Sequence, residues 1–133
     1  MMGEHMLYSN AEMERMVASV APLLDRRDLV GYAAARNTRA LKDELTEYEA
    51  MRDRIVIENG TPELDERGLP TGRWSIDRSS ERYAEASAQI DELAAVEHEP
   101  ELMLLPYSAA IGSLNGHELL SAEWMFFDDS AVR

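Results

Sequence analysis

The feature that constrains this chain most is a long run of helical periodicity that ends at a glycine. Its apolar positions, four and three residues apart, are Leu41, Leu45, Tyr48, Met51 or Arg52, and Ile55. This spacing places them on one face of a helix, in a coiled-coil-like stripe. Asp28 precedes the run as a cap, and Asn59-Gly60 ends it, with the glycine suited to a left-handed cap. We therefore predict a helix over about 28–58 that pairs lengthwise with another helix.

A shorter amphipathic run precedes this helix. Ser9 and Glu12 have the spacing of a capping box, and Pro22 predicts a kink or stop near the end of a helix over about 10–24. The predicted buried face consists of Met13, Met16, Val17, Val20 and Leu24. Residues 1–8 are predicted to be a disordered leader, in which Met6 is an alternative start to Met1.

A β-hairpin is predicted after the long helix. Asp65-Glu66-Arg67-Gly68 has aspartate first and glycine last, as a type I turn prefers, and Trp74 and Ile76 alternate with polar neighbours. Pro62 and Pro70 predict strands that are short and lie at an edge. The alternative is an ordered loop.

A third helix is predicted over about 78–95. One of Asp77, Ser79 and Ser80 is the expected cap, and apolar residues recur at four-and-three spacing from Tyr83 onwards. Two such helices joined by a short connector favour an antiparallel pair. The predicted fold class is mainly α with minor β, an antiparallel helical hairpin or small helical bundle, within one domain over 9–133.

The C-terminal segment has a different character. Leu102-Met103-Leu104-Leu105 lies between prolines and predicts a short buried strand, and Ser108 to Gly116 predicts a loop. Ser121-Ala122-Glu123 is the expected cap of a last helix over 121–128.

That last helix would hold the candidate partner-binding residues, Trp124, Phe126 and Phe127. Aromatic clusters of this kind are most often part of a core. If they are exposed instead, they form the type of anchor patch that dominates protein interfaces.

The charge is unevenly distributed. The net charge is −13, and residues 83–132 hold ten acids and no lysine or arginine. Such a field repels phosphate backbones, so direct nucleic-acid binding is not expected. Either the charge only keeps the chain in solution, or it complements a basic partner, as in an acidic decoy that occupies a nucleic-acid site.

No residue pattern predicts catalysis, a cofactor or a metal. The chain has no cysteine, which excludes disulfides and thiolate zinc sites and fits a reducing cytoplasm. His117-Glu118-Leu119-Leu120-Ser121 lacks the second histidine of a zinc-protease motif, and Gly112-Ser113-Leu114-Asn115-Gly116 does not match a nucleophile elbow. No stretch approaches the roughly 20 apolar residues of a membrane span. We therefore expect a non-enzymatic cytoplasmic protein without a small-molecule substrate or membrane contact. An enzyme that uses buried carboxylates is a further alternative, beside the interaction protein and the acidic decoy.

Short motifs over about residues 16–128 carry a family resemblance. They are Leu23-Leu24 with 25–30, Ala35-Arg36-Asn37, Glu47-Tyr48-Glu49 with Arg52, Glu58-Asn59-Gly60, Asp65-Glu66-Arg67-Gly68 and Ser121-Ala122-Glu123. In this arrangement the chain resembles small proteins of unknown function from tailed bacteriophages and prophages of Gram-positive bacteria. The resemblance supplies no established activity and no functional residues. Together with the helical hairpin, a possible self-pairing surface and the absence of catalytic motifs, it favours a role as an adaptor or in particle assembly, in the host cytoplasm or the phage particle. Self-association is also expected, through Met13, Met16 and the small residues from Gly31 to Ala35.

Overall fold

The structure is a computed structural model and describes residues 6–129, in which helices predominate and the strands are short. In chain order the elements are β1 (Tyr8–Ser9), α1 (Asn10–Val20), α2 (Leu29–Asn59), β2 (Thr61–Leu64), β3 (Pro70–Ser75), α3 (Tyr83–Ala94), β4 (Glu97–His98), β5 (Leu105–Pro106), α4 (Gly116–Ser121) and β6 (Phe126–Phe127). The predicted class, mainly α with minor β, is confirmed. Among the described helices, none has the length and apolar character needed to cross a bilayer.

The chain divides into two compact units. The first comprises Met1–Leu45 and Glu97–Arg133, and the second comprises Thr46–Val96. The single domain over 9–133 stays a prediction. Of the predicted leader, residues 1–5 lie outside the described residues, whereas Tyr8 belongs to β1 and pairs antiparallel with His98 of β4.

In the first unit, α1 begins at the predicted capping box. Ser9 Oγ accepts a hydrogen bond from the Glu12 backbone N–H at 3.1 Å, and the Glu12 carboxylate accepts one from the Ser9 N–H at 2.9 Å. These bonds satisfy donors that a helix start leaves free. Leu24 was expected on the buried face, but it is exposed and Leu23 is buried instead. The reason is a 3₁₀ turn over Ala21–Leu23, which rotates each residue further than an α-helix does.

The cap of α2 is Asp28, as predicted. Its Oδ1 accepts a hydrogen bond from the Gly31 backbone N–H at 3.1 Å, and its carboxylate also binds the Arg26 guanidinium at 2.6 Å. The hydrogen bond between the two side chains is the main cause of two shifts: it lowers the pKa of Asp28 and raises the pKa of Arg26. The predicted stripe is buried at Leu41 and Leu45.

The predicted strand over 102–105 is wrong except at its last residue. Asn37, fully buried on α2, accepts a hydrogen bond from the Met103 N–H at 2.6 Å and donates one to the Met103 carbonyl at 2.9 Å. Because this amide satisfies both backbone groups of Met103, the segment needs no strand partner there. Only Leu105–Pro106 forms a strand, parallel to β6.

The predicted last helix over 121–128 is also wrong. The helix lies earlier, at Gly116–Ser121, where Asn115 and Glu118 form a second capping box, and Ala122 follows its end. The chain then makes a 3₁₀ turn over Glu123–Met125 and enters β6, because the backbone of Phe126–Phe127 pairs with β5. The loop that was expected over Ser108 to Gly116 therefore ends at Asn115, and the helix begins at the next residue.

The second unit contains the end of α2, the β-hairpin and α3. The helix α2 ends at Asn59, as predicted, but Gly60 does not have the left-handed conformation that was expected. An added Cβ at Gly60 would lie 2.3 Å from the Ser75 carbonyl oxygen, so glycine permits the close approach of the hairpin's return strand.

The start of α3 differs from its prediction by several residues. It begins at Tyr83, and its cap position, Arg82, makes no side-chain cap. The expected cap residues stabilise the preceding turn instead: the Asp77 carboxylate accepts hydrogen bonds from the Ser79 N–H and hydroxyl, which lower the pKa of Asp77. Arg82 donates to the Glu58 carbonyl at 3.3 Å, so α3 starts beside the end of α2.

Candidate interaction surface

The three predicted partner-binding residues lie in the first unit, where they are largely covered. Phe126 is buried in the apolar core, and Trp124 packs against that core. The Trp124 Nε1–H donates a hydrogen bond to Ser19 Oγ at 2.9 Å, so its polar edge is also satisfied. Phe127 is half-buried. Phe126 and Trp124 therefore belong to the core, which was the alternative to an exposed anchor patch. A partner-binding role for the three rings stays a prediction.

The surface that stands out is the β-hairpin of the second unit, residues 61–75, which we call the arm. Its two strands pair antiparallel, with Pro62 opposite Trp74 and Leu64 opposite Pro70. The register is irregular between Pro62 and Leu64, so the two pairs lie on either side of an irregularity in the hairpin. All four side chains are apolar and exposed, and we call these four residues together the arm face.

Polar side chains of the arm lie close to these apolar ones. Thr61 and Ser75 are paired at the base of the arm, and Glu63 alternates with the apolar residues of β2. The Thr71 hydroxyl donates a hydrogen bond to the Glu63 carbonyl at 3.1 Å. An open groove of about 590 Å³ is lined by Leu64 of the arm face together with Glu63, Thr71 and Arg73. The arm therefore presents apolar and charged side chains next to each other.

Hydrogen bonds fix the tip of the arm. Gly68 has a φ of 78°, and its N–H donates to the Asp65 carbonyl at 3.0 Å, as the predicted turn requires. The Asp65 carboxylate accepts from the backbone N–H groups of Arg67 and Leu69 at 2.8 and 2.9 Å. The backbone of the tip is therefore held in one conformation before any partner binds.

The residues of the arm are all exposed in the described part of the chain. Every residue from 61 to 75 is exposed, with Leu64 at 59% and Trp74 at 40% of their full accessibility. A two-stranded hairpin with no packing partner is marginally stable in water. The second unit offers little core to compensate, because its buried apolar residues are Tyr48 and Ala86. The arm face is therefore apolar surface that a contact with another molecule would stabilise.

The arm also differs from the rest of the chain in charge. Residues 50–82, which contain it, hold seven acids and six arginines, a net charge of −1. The other 100 residues account for −12 of the total of −13. The arm face itself has no ionisable side chain. Its chemistry suits an apolar contact rather than a charge-selected one.

A second cavity, in the first unit, is lined in part by polar side chains. This cavity of about 180 Å³ is lined by residues that include Ser19, His117, Glu118 and Ser121. His117 and Ser121 are exposed, and the Glu118 carboxylate accepts a hydrogen bond from the Asn115 N–H at 3.0 Å as part of the helix cap. Residues 6–129 contain no group of three or more histidine, aspartate or glutamate side chains placed to hold a metal.

Comparison with known proteins found no match: no family model, no curated protein and no solved structure matches this chain. The resemblance to the phage proteins therefore stays a prediction.

Sequence reasoning found the arm but not its role. The hairpin and its turn were predicted, and Trp74 was placed on the return strand. The signal that was missed is the alternation in β2, where Pro62 and Leu64 flank Glu63. That alternation, together with Trp74 on the return strand, would have predicted apolar side chains on the arm. Its exposure, however, depends on what the other elements leave uncovered.

Proposed function

We propose that this protein is a non-enzymatic interaction protein that contacts protein partners through the arm face. The observation that carries the proposal is the exposure of the apolar side chains of the arm, with Leu64 at 59% and Trp74 at 40% of their full accessibility. Tryptophan is among the residues that contribute most to protein interfaces. The fixed backbone of the tip adds support, because a rigid recognition element loses less entropy on binding.

The resemblance to phage and prophage proteins supplies the biological setting of the proposal. In that setting the protein acts in particle assembly or as an adaptor, in the cytoplasm of a bacterial host or within the particle. The arm fits such a role because a hairpin with exposed apolar side chains can contact a neighbouring subunit without a large change in its backbone.

The proposal is tested by photo-crosslinking in the cells that carry the gene. A photoreactive phenylalanine derivative replaces Leu64 in one variant and Leu120 in a control; Leu120 lies on α4 and is 73% exposed. We expect discrete covalent protein adducts at position 64 and few at position 120. Equal labelling at both positions, or no protein adduct at position 64, would contradict a docking role for the arm.

A second candidate function is the acidic decoy, which the exposure of the C-terminal acids favours. Eight of the ten acids in residues 83–132 are exposed: Glu85, Asp91, Glu92, Glu97, Glu99, Glu101, Glu123 and Asp128. A decoy would bind a basic protein, and added salt would weaken that binding steeply. Salt dependence of an isolated complex therefore separates the decoy from an apolar contact at the arm.

A further inference from the structure

The chain contains two Asn-Gly pairs, Asn59-Gly60 and Asn115-Gly116. We propose that Asn115 is a modification site, where the side-chain amide converts spontaneously to a carboxylate, and that the fold protects Asn59 from the same reaction. The inference is independent of the proposed function, because Asn115 belongs to the first unit and the arm to the second.

The reaction needs water as its only co-reactant and involves no oxidation or reduction. The Gly116 nitrogen loses its proton to hydroxide and bonds to Cγ of Asn115, and the bond from Cγ to Nδ2 breaks. Ammonia leaves with a proton from water, and a cyclic succinimide remains. Water then opens the ring at either carbonyl, which yields aspartate or isoaspartate. Glycine favours ring closure because, without a Cβ, it neither crowds its own nitrogen nor restricts the backbone.

The backbone around Asn115 leaves room for this ring to close. Asn115 is exposed, and its extended backbone, with φ −80° and ψ 174°, lies just before α4. Gly116 is the first residue of α4, and the first N–H groups of a helix have no acceptor within it. Nothing lies within 4 Å of a Cβ added at Gly116, so neighbouring atoms do not prevent its peptide from rotating. Attack at Cγ therefore needs only a local rotation.

The cap of α4 holds Asn115 by the oxygen of its side chain. Oδ1 accepts a hydrogen bond from the Glu118 backbone N–H at 2.9 Å. This bond polarises the carbonyl at Cγ, the atom that is attacked, and it does not involve Nδ2, the atom that leaves. It also lies at the surface, where water can replace it, so it restrains the side chain only weakly.

Asn59 has the same neighbour in sequence but a different environment. It is half-buried at the end of α2, and its Nδ2, the atom that would leave, donates a hydrogen bond to the Ile55 carbonyl at 2.8 Å. A Cβ added at Gly60 would lie 2.3 Å from the Ser75 carbonyl oxygen. Because the return strand of the arm approaches Gly60 this closely, the peptide cannot rotate unless the arm first separates from α2.

The two products have different effects on α4. Aspartate caps a helix as well as asparagine does, so it preserves α4 and adds one negative charge to the net −13. Isoaspartate carries the backbone through the former side chain, so the acceptor for the Glu118 N–H is displaced. A helix as short as Gly116–Ser121 depends on its cap, and we expect isoaspartate to open it.

Peptide mapping of the full chain measures both sites in one sample. The folded protein is incubated near neutral pH in water enriched in heavy oxygen, and samples are digested with trypsin in ordinary water after increasing times. Trypsin separates the two asparagines, because Arg54 and Arg67 bound the peptide that holds Asn59 and residues 83–132 contain no lysine or arginine. Mass spectrometry then measures the aspartate and isoaspartate at each position, and the heavy oxygen identifies conversion that occurred during the incubation.

We expect Asn115 to convert at least about tenfold faster than Asn59 in the folded chain, and both to convert at similar rates in urea. Gly116→Ala should slow conversion at Asn115 and leave Asn59 unchanged, and the wild-type comparison does not depend on this variant. The inference would be overturned by a smaller ratio in the folded chain, by the same ratio in urea, or by a rate at Asn115 that Gly116→Ala leaves unchanged.

Discussion

Asn37 shows how much of the first unit depends on one side chain. Its amide is fully buried on α2 and makes two hydrogen bonds to the backbone of Met103, 66 residues later. A buried amide can replace a strand partner in this way because it offers one donor and one acceptor in a fixed plane. The irregular segment before β5 is therefore held by a residue far from it in sequence.

Replacing this amide should destabilise the fold strongly. Asn37→Ala leaves the N–H and carbonyl of Met103 without their partner, and we expect a loss of about 2–4 kcal/mol in the free energy of unfolding. Urea unfolding followed by circular dichroism measures it. Gln89→Ala, at an exposed position on α3, is the control and should change stability by less than about 0.5 kcal/mol. A similar small change at Asn37 would contradict the role of the amide.

Carboxylates at caps and turns make stability depend on pH. The backbone N–H of Ser9 lowers the pKa of Glu12. The side-chain hydrogen bond from Arg26 lowers the pKa of Asp28, and the backbone N–H of Ser79 lowers the pKa of Asp77. A carboxyl whose pKa is lower in the folded state stabilises the fold above its unfolded pKa. That contribution is lost as the pH falls through the folded pKa.

Thermal unfolding should be measured at a series of pH values. The melting temperature should fall as the pH is lowered from neutral to below the ordinary pKa of carboxyl groups. Glu12→Gln keeps a side chain that can complete the capping box but removes one titrating group. Its melting temperature should fall less over the same range. A wild-type melting temperature that rose with acid would contradict the assignment.

At the scale of elements, local signals predicted the starts of α1 and α2 and the turn of the arm. Ser9 with Glu12, Asp28, and the turn from Asp65 to Gly68 act on residues within four positions, so the sequence specifies them directly. The starts of α3 and α4 were predicted wrongly although their signals are local. Two other errors came where distant residues decide. The strand pairing of Phe126 with Leu105 ended the expected last helix, and the contact of Asn37 with Met103 replaced the expected strand.

The candidate site was predictable in part for the same reason. The arm depends on a local turn and on alternation, so its existence follows from the sequence. Its exposure depends on the packing of the second unit, which buries Tyr48 and Ala86 and leaves Leu64 and Trp74 open. Conversely, Trp124 was a reasonable interface candidate from sequence. Its hydrogen bond to Ser19, 105 residues away, could not be inferred.

The base of the arm provides a test at this scale. Gly60→Ala places a Cβ 2.3 Å from the Ser75 carbonyl, so α2 and the return strand must separate. We expect a loss of about 2 kcal/mol or more in stability and faster hydrogen exchange of the arm amides. Gly116→Ala is the matched control, since nothing lies within 4 Å of its added Cβ. Equal behaviour of the two variants would show that the close approach at Gly60 is unimportant.

At the scale of the whole molecule, the account joins two properties of the chain. The residues outside 50–82 carry −12 of the net charge, and the arm combines exposed apolar residues with nearly balanced charge. An apolar contact at the arm should therefore depend little on salt. A contact of the acidic residues with a basic partner should weaken as salt is added.

The most direct test of the central claim is photo-crosslinking at the arm in the cells that carry the gene. The photoreactive residue at position 64 is compared with the same residue at position 120, which lies on α4 and is 73% exposed. We predict discrete covalent protein adducts at position 64 and few at position 120. Equal labelling at both positions, or no protein adduct at position 64, would contradict the account.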